Sequence, residues 1–156
     1  MIDMNEVIQR LSMHEGIRLF PYKCSKGYLT IGIGRNLESN PLTDEEKKIC
    51  GNWQRGITKE AAFILLRHDI KRVLNECKTH ISFWFTLDDE RQYALLDMAF
   101  NMGISKLLQF KKMLTALGVG NYNEAAQECL NSKYAQEVGL RSQRIANVLK
   151  TGKFKV

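Results

Sequence analysis

Glu15-Gly16-Ile17-Arg18-Leu19-Phe20-Pro21-Tyr22-Lys23-Cys24-Ser25-Lys26-Gly27-Tyr28-Leu29-Thr30-Ile31-Gly32-Ile33-Gly34 is the stretch on which the fold of this chain turns. Leu19-Phe20-Pro21-Tyr22 and Tyr28-Leu29-Thr30-Ile31 are β-prone and flank Ser25-Lys26-Gly27, a pattern that predicts a β-hairpin. Gly32 and Gly34 then interrupt regular structure. Upstream, Asp3 followed three residues later by Glu6 has the form of a capping box. Met4, Val7, Ile8 and Leu11 recur at helical spacing, which predicts a helix over about 4–13. Glu15 therefore stands where a helix gives way to a hairpin.

Downstream the pattern is helical. Thr43 with Glu46 opens a short helix that ends near Gly51. Beyond Thr58, Ala62, Leu65, Leu66, Ile70, Val73, Leu74 and Cys77 mark one stripe of a helix over about 59–80. Thr86 and Asp89 are read as the cap of a helix through Tyr93, Leu96, Ala99 and Phe100, apolar around its girth and stopped by Gly103. Leu107, Phe110, Leu114 and Leu117 predict the next helix, closed by Gly118. Asn121-Tyr122-Asn123-Glu124 starts another, and Leu140, Ile145, Val148 and Leu149 define the last, ended by Gly152. The expectation is one α+β domain over 1–156. It comprises an N-terminal helix (1–14) packing on the C-terminal lobe, a β-containing lobe (15–57), a connecting helix (58–80) and a helical lobe (81–156), with a ligand cleft between the lobes.

With 156 residues, 44% hydrophobic and 26% charged, the chain has the composition of an ordinary globular domain. No apolar run approaches the roughly 20 residues that span a bilayer, so no membrane insertion is expected. The start, Met1-Ile2-Asp3-Met4-Asn5-Glu6, has neither a basic n-region nor an apolar h-region, which points to synthesis in the cytoplasm. Cys24, Cys50, Cys77 and Cys129 form no CxxC pair and are expected to be reduced. His14, His68 and His80 sit at no ligand spacing, so no metal is expected. Charge is concentrated at one end. From 133 onward Lys133, Arg141, Arg144, Lys150, Lys153 and Lys155 face a single acid, Glu137, so this segment carries +5 of the net +6. Such an end attracts polyanions in general, and no nucleic-acid-binding motif accompanies it.

Taken singly, the polar residues of 15–34 are weak signals. A glutamate at a helix end is usually surface. Gly32-Ile33-Gly34 lacks the third glycine of a dinucleotide fingerprint, and Arg18 stands where an HExxH motif starting at His14 needs histidine. Together they form a pattern: Glu15, eight residues, Cys24, five residues, Thr30. With its glycines and aromatics, this resembles the phage-type lysozymes, the endolysins of tailed bacteriophages, whose pattern is Glu, eight residues, Asp or Cys, five residues, Thr. The resemblance extends to Gly56-Ile57-Thr58-Lys59-Glu60-Ala61, to Asp69, and to Met98-Ala99-Phe100-Asn101-Met102-Gly103. It continues in Asn123-Glu124-Ala125-Ala126, Arg141 and Lys150-Thr151-Gly152, while residues 37–52 match poorly.

The resemblance implies a lysozyme-like fold. It implies an N-acetylmuramoylhydrolase that cuts the β-1,4 bond between N-acetylmuramic acid and N-acetylglucosamine in bacterial peptidoglycan, with no cofactor. Glu15 takes the role of proton donor, and Cys24 and Thr30 stand on the attacking side. Cleaving a glycosidic bond needs an acid for the leaving oxygen and a group on the other face of the sugar. Cys24 departs from the common aspartate and leaves two routes open: a thiolate nucleophile, or a polar group that helps Thr30 orient water. Relatives bearing aspartate use water, which favours the second. By the same resemblance Arg141 pairs with the acid, and Arg35, where histidine is common, pairs with Asp69. Sugar contacts fall on Gly34, Phe100, Asn101, Phe110, Lys133 and Tyr134. Met113 and Glu128 replace smaller or amide side chains. The resemblance further implies a phage or prophage product that crosses the inner membrane through a holin pore and lyses its host; a monomer is expected, and the compact chain favours a Gram-negative host with thin peptidoglycan. A lytic transglycosylase and a catalytically weak glycan-binding protein are the alternatives.

Overall fold

The computed structural model describes residues 2–153, so Lys155 of the basic end lies outside the described residues. The chain divides into two compact units, Asp3–Arg72 and a second comprising Ile2 and residues 73–153.

In the first unit, helix α1 (Met4–Glu15) begins where the Asp3 carboxylate accepts the Asn5 N–H at 3.0 Å. Glu6 does not complete the expected capping box; it pairs with Arg10 instead. The helix runs on to include Glu15 and stops at Gly16, whose φ of 72° suits a residue without Cβ. Strands β1 (Arg18–Lys23), β2 (Leu29–Gly32) and β3 (Arg35–Asn36) form an antiparallel sheet in that order. The β1–β2 hairpin is closed by Gly27 N–H donating to Cys24 C=O at 2.8 Å and Cys24 N–H donating to Tyr28 C=O at 2.9 Å. Its register pairs Arg18 with Gly32 and Tyr22 with Thr30, leaving a bulge in β1. Pro21, which has no N–H to give a ladder, falls within that bulge.

Strand β3 is an addition to the sequence reading. Gly32 and Gly34, at φ 71° and 74°, turn the chain back tightly instead of ending the sheet, and Ile31 pairs with Arg35. Helix α2 (Asp44–Cys50) carries a complete capping box: Glu46 N–H donates to Thr43 Oγ1 at 3.1 Å and Thr43 N–H to Glu46 Oε1 at 3.0 Å. A 3-10 turn over Trp53–Arg55 precedes α3 (Lys59–His80), within which the boundary between the units falls. Val7, Leu11, Ile31, Ile33, Ala62, Leu65, Leu66 and Ile70 are almost wholly buried. Each such side chain contributes about 1.5–3 kcal/mol when it is an Ile, Leu or Val.

In the second unit, α4 (Asp89–Met102) is buried without interruption from Arg91 to Ala99, as its all-round apolar character predicts. Its cap is Asp88, which accepts the Arg91 N–H, and not Thr86. Thr86 closes a preceding 3-10 turn by donating to Phe83 C=O at 2.7 Å. The single helix expected over Leu107–Leu117 is two: α5 (Ile104–Leu107) and α6 (Lys111–Gly118). The i→i+3 bonds of Gln109 to Lys106 and Phe110 to Leu107 tighten and end α5 before the ladder can continue. Helices α7 (Tyr122–Leu130) and α9 (Leu140–Thr151) pack together, with α6 against α7 and the short α8 (Lys133–Val138) against α9. Helix α4 meets α9 through Arg91, whose guanidinium donates to Leu149 C=O and Lys150 C=O and stacks on the Tyr122 ring at 3.4 Å.

Candidate active site

Three of the residues singled out by the sequence gather around the hairpin of the first unit. Glu15 is the last residue of α1, half-buried, because Gly16 ends the helix just after it. Its carboxylate lies against Gly34: a Cβ at position 34 would stand 3.1 Å from Glu15 Oε2. The positive φ that makes the glycine turn and the close approach of the carboxylate thus both require residue 34 to lack a side chain.

Cys24 and Thr30 are fastened to one atom. The Tyr28 carbonyl accepts the Cys24 N–H at 2.9 Å and the Thr30 hydroxyl at 2.8 Å. With its hydrogen engaged there, Thr30 Oγ1 presents lone pairs, so it serves as an acceptor toward any water beside it. Thr30 is buried and Cys24 half-exposed. Burial pushes the Cys24 thiol up, but backbone hydrogen bonds at Tyr28 and Lys26 and a side-chain hydrogen bond from Thr30 outweigh it, and the thiol sits below its ordinary value. Thr30 therefore has two acceptors within reach, the Tyr28 carbonyl and the sulfur, and can turn to the sulfur when it ionises. The remaining cysteines are free and buried, and burial pushes Cys77 and Cys129 up to about 12. Cys24 is the one of the four tuned toward thiolate.

Tyr22 carries no role in the sequence reading, yet it stands directly opposite Thr30 in the register. The Arg18 guanidinium lies over its ring, 4.1 Å from the centroid. Burial raises the phenol above its usual range, the charges of Glu15 and Cys24 raise it further, and Arg18 pulls the other way. The signal in the sequence was the β-prone run Leu19-Phe20-Pro21-Tyr22, which sets Tyr22 opposite Thr30 once the hairpin closes.

Immediately after Gly34, Arg35 is buried in a cluster of charges. It forks onto Glu46, with Nη2–Oε1 at 2.6 Å and Nη1–Oε2 at 3.1 Å, and reaches Asp69 Oδ1 at 3.1 Å. Its Nε donates to Asn40 C=O at 2.9 Å. His68 Nδ1 lies 2.8 Å from Glu46 Oε2, and Arg72 is 3.6 Å from Asp69. Burial raises both carboxyls, but bonds from Arg35, the Thr43 amide and His68 carry Glu46 down to about 2. Burial dominates at Asp69 and, with the negative charge of Glu46 adding to it, holds the carboxyl up at about 6 against the pull of Arg35 and Arg72. The Arg35–Asp69 contact implied by the resemblance is thus present, and Glu46 is a third member that the sequence reading passed over.

The other residues lie in the second unit. Phe110 and Tyr134 meet edge to face, ring centroids 6.3 Å apart at 81°. Phe100 is half-buried, Asn101 and Lys133 are exposed, Met113 is buried and Glu128 half-buried. Arg141 Nε donates to Asp97 Oδ1 at 2.8 Å, and Tyr93 O–H donates to Asp97 Oδ2 at 3.2 Å. Asp97 is wholly buried and was absent from the sequence reading. Among the described residues no cluster of three or more His, Cys, Asp or Glu is arranged to hold a metal ion, and no helix is long and apolar enough to cross a membrane.

The small antiparallel sheet and the many helices, with a glutamate at the mouth of the hairpin, define a lysozyme-like fold. The family described as phage lysozyme matches residues 12–147, and the chain belongs to that family. It is 31% identical to probable T4-type lysozyme 1 of Dictyostelium discoideum, covering 96% of each chain. It is 30% identical to an endolysin of Acyrthosiphon pisum secondary endosymbiont phage 1, over 85% of this chain and 80% of that one. It is also 31% identical to the pre-baseplate central spike protein Gp5 of Enterobacteria phage T4, where 97% of this chain spans only 28% of the relative's length.

Proposed function

We propose that the protein is a lysozyme that hydrolyses peptidoglycan at the β-1,4 bond between N-acetylmuramic acid and N-acetylglucosamine. The observation that carries this reading is the joint anchoring of Cys24 and Thr30 on the Tyr28 carbonyl, in the same compact unit as Glu15.

Glu15, protonated, gives its proton to the oxygen leaving C1 of the muramic acid unit as the C1–O bond breaks. Water attacks C1 from the opposite face. It donates one hydrogen bond to a lone pair of Thr30 Oγ1, which is left whether the hydroxyl hydrogen points to Tyr28 or to the sulfur, and one to the Cys24 sulfur. As the new C–O bond forms, the thiolate takes the water's proton, and the resting protonation states return through solvent. A lowered thiol favours that acceptor role. Arg35 and Asp69 support the Gly34 turn, and Gly34, Phe100, Asn101, Phe110, Lys133 and Tyr134 contact the glycan. On this reading the protein acts as a monomer on the periplasmic wall of a Gram-negative host. It is made in the host cytoplasm, is released through a holin pore, and lyses the cell.

The test is clearing of outer-membrane-permeabilised Gram-negative cells, with mass spectrometry of the released glycans. Hydrolysis leaves reducing ends that contain the elements of water. Failure to clear the suspension, or products ending in anhydro-sugars, overturns the reading.

A further inference from the structure

The tetrahedral geometry of water leaves one question open at this site. Thr30 Oγ1 and the Cys24 sulfur are both acceptors, and between them they take both hydrogens of an attacking water. One of the water's lone pairs must point at C1. The other is unheld, and a water pinned only through its hydrogens can still swing about the line joining its two acceptors. A third, donating group on the same face of the hairpin removes that freedom.

Tyr22 is placed to be that group. It pairs with Thr30 across β1 and β2, and directly opposed residues in an antiparallel pair project from the same face with Cβ atoms about 5 Å apart. Cys24 follows directly on β1, and its N–H donates to the same Tyr28 carbonyl that holds the Thr30 hydroxyl. The bulge around Pro21 sets the spacing of this part of β1, with the five residues 18–22 opposing the three residues 30–32. Arg18 holds the ring from its face, at 4.1 Å. Burial raises the phenol above its ordinary value, so Tyr22 keeps its proton at neutral pH and is available as a donor.

We propose that Tyr22 is a positioning residue of the hydrolysis, its hydroxyl donating to the attacking water that Thr30 and Cys24 accept from. The inference rests on the water route of the proposed function. The stack with Arg18 fixes the ring, and the ring fixes the hydroxyl. Removing the hydroxyl leaves the packing of the ring and the strand pairing intact, so the loss falls on the chemical step.

The experiment compares wild type, Glu15→Gln and Tyr22→Phe on purified Gram-negative sacculi and on soluble glycan fragments released from them. Tyr22→Phe is expected to melt like wild type and to lose roughly ten- to hundredfold in kcat with KM little changed, the effect of misplacing a reactant by a fraction of an ångström. A second measurement is a ratio and does not depend on how much enzyme is folded. With methanol present, Tyr22→Phe is expected to yield more methyl glycoside relative to hydrolysed product than wild type, because the site no longer selects water. Wild-type kcat in Tyr22→Phe, or an unchanged methanol-to-water ratio, overturns the inference while leaving the lysozyme reading intact. A wild-type protein no more active than Glu15→Gln overturns both.

Discussion

The Glu15 carboxylate lies so close to Gly34 that a methyl group at residue 34 would stand 3.1 Å from Oε2. Gly34→Ala is therefore expected to act twice. At φ 74° an alanine costs about 1 kcal/mol of backbone strain. Its methyl also pushes the carboxylate off the leaving oxygen. Activity should fall about tenfold or more, while the melting temperature drops only a few degrees. Wild-type activity in a folded Gly34→Ala would mean that the contact does not position Glu15.

Glu15→Gln keeps the shape of the side chain and removes the transferable proton. The expected loss in kcat is about 10²–10⁴-fold, the usual worth of a general acid, with an unchanged circular dichroism spectrum. Clearing of permeabilised cells at a rate near wild type would remove Glu15 from the role of acid.

How much of this was legible beforehand depends on how local the cause was. Residues 15–34 could be read because the helix stop, the hairpin turn and the spacing of Glu15, Cys24 and Thr30 are all short-range. Strand β3 could not, because two residues, Arg35 and Asn36, carry no periodicity and their pairing follows from the Gly32–Gly34 turn. Glu46 was hidden by its own success as a capping residue: one local explanation sufficed, and the fork onto Arg35 is tertiary. The break between α5 and α6 was masked because Leu107, Phe110, Leu114 and Leu117 keep helical spacing across it. Asp97 gave no signal, since its partner Arg141 is 44 residues away in the chain.

The cluster beside Gly34 predicts a pH dependence with a definite sign. Asp69 is raised from 3.8 to about 6, so as pH climbs from about 4 to 6 the unfolded chain ionises there while the fold holds its proton. Its contribution is present below about 4 and lost as pH rises through 6. Glu46, lowered from 4.5 to about 2, contributes above about 4.5 and loses that contribution as pH falls toward 2. The melting temperature of wild type minus that of Asp69→Asn should therefore decline from pH 4 to 6 and level off above. Glu46→Gln should cost about 3 kcal/mol at pH 7, since it strands Arg35 with half its partners. A flat or rising difference curve for Asp69→Asn would contradict this account.

The basic end predicts salt sensitivity. Arg144, Lys150 and Lys153 are exposed, and their field extends about 8–10 Å at ordinary ionic strength. Clearing of whole cells should slow as salt is added. Neutralising Lys150, Lys153 and Lys155 together should flatten that dependence and leave cleavage of short soluble fragments unchanged. A triple variant with the wild-type salt profile would exclude a role for the tail in reaching anionic wall.

Cys24 decides the route. As a nucleophile its sulfur would bond to C1, and the product would keep its anomeric configuration after two displacements. As a base toward water it takes a proton only, and the product is inverted. Thr30 serves the second route directly, since its one hydrogen goes to the Tyr28 carbonyl or to the sulfur and its lone pairs are left for water. Cys24→Asp should therefore stay active, because a carboxylate can also accept from water, whereas Cys24→Ala should lose about 10²-fold or more. The thiol itself can be followed. The other three cysteines are buried, so iodoacetamide should modify Cys24 first and abolish activity, and the pH midpoint of that reaction should lie below that of an ordinary thiol. Thr30→Val removes one of the hydrogen bonds that lower the thiol and should shift the midpoint upward. NMR of the freshly cut reducing end reads the outcome: an inverted anomer is expected, and a retained one would make Cys24 the nucleophile.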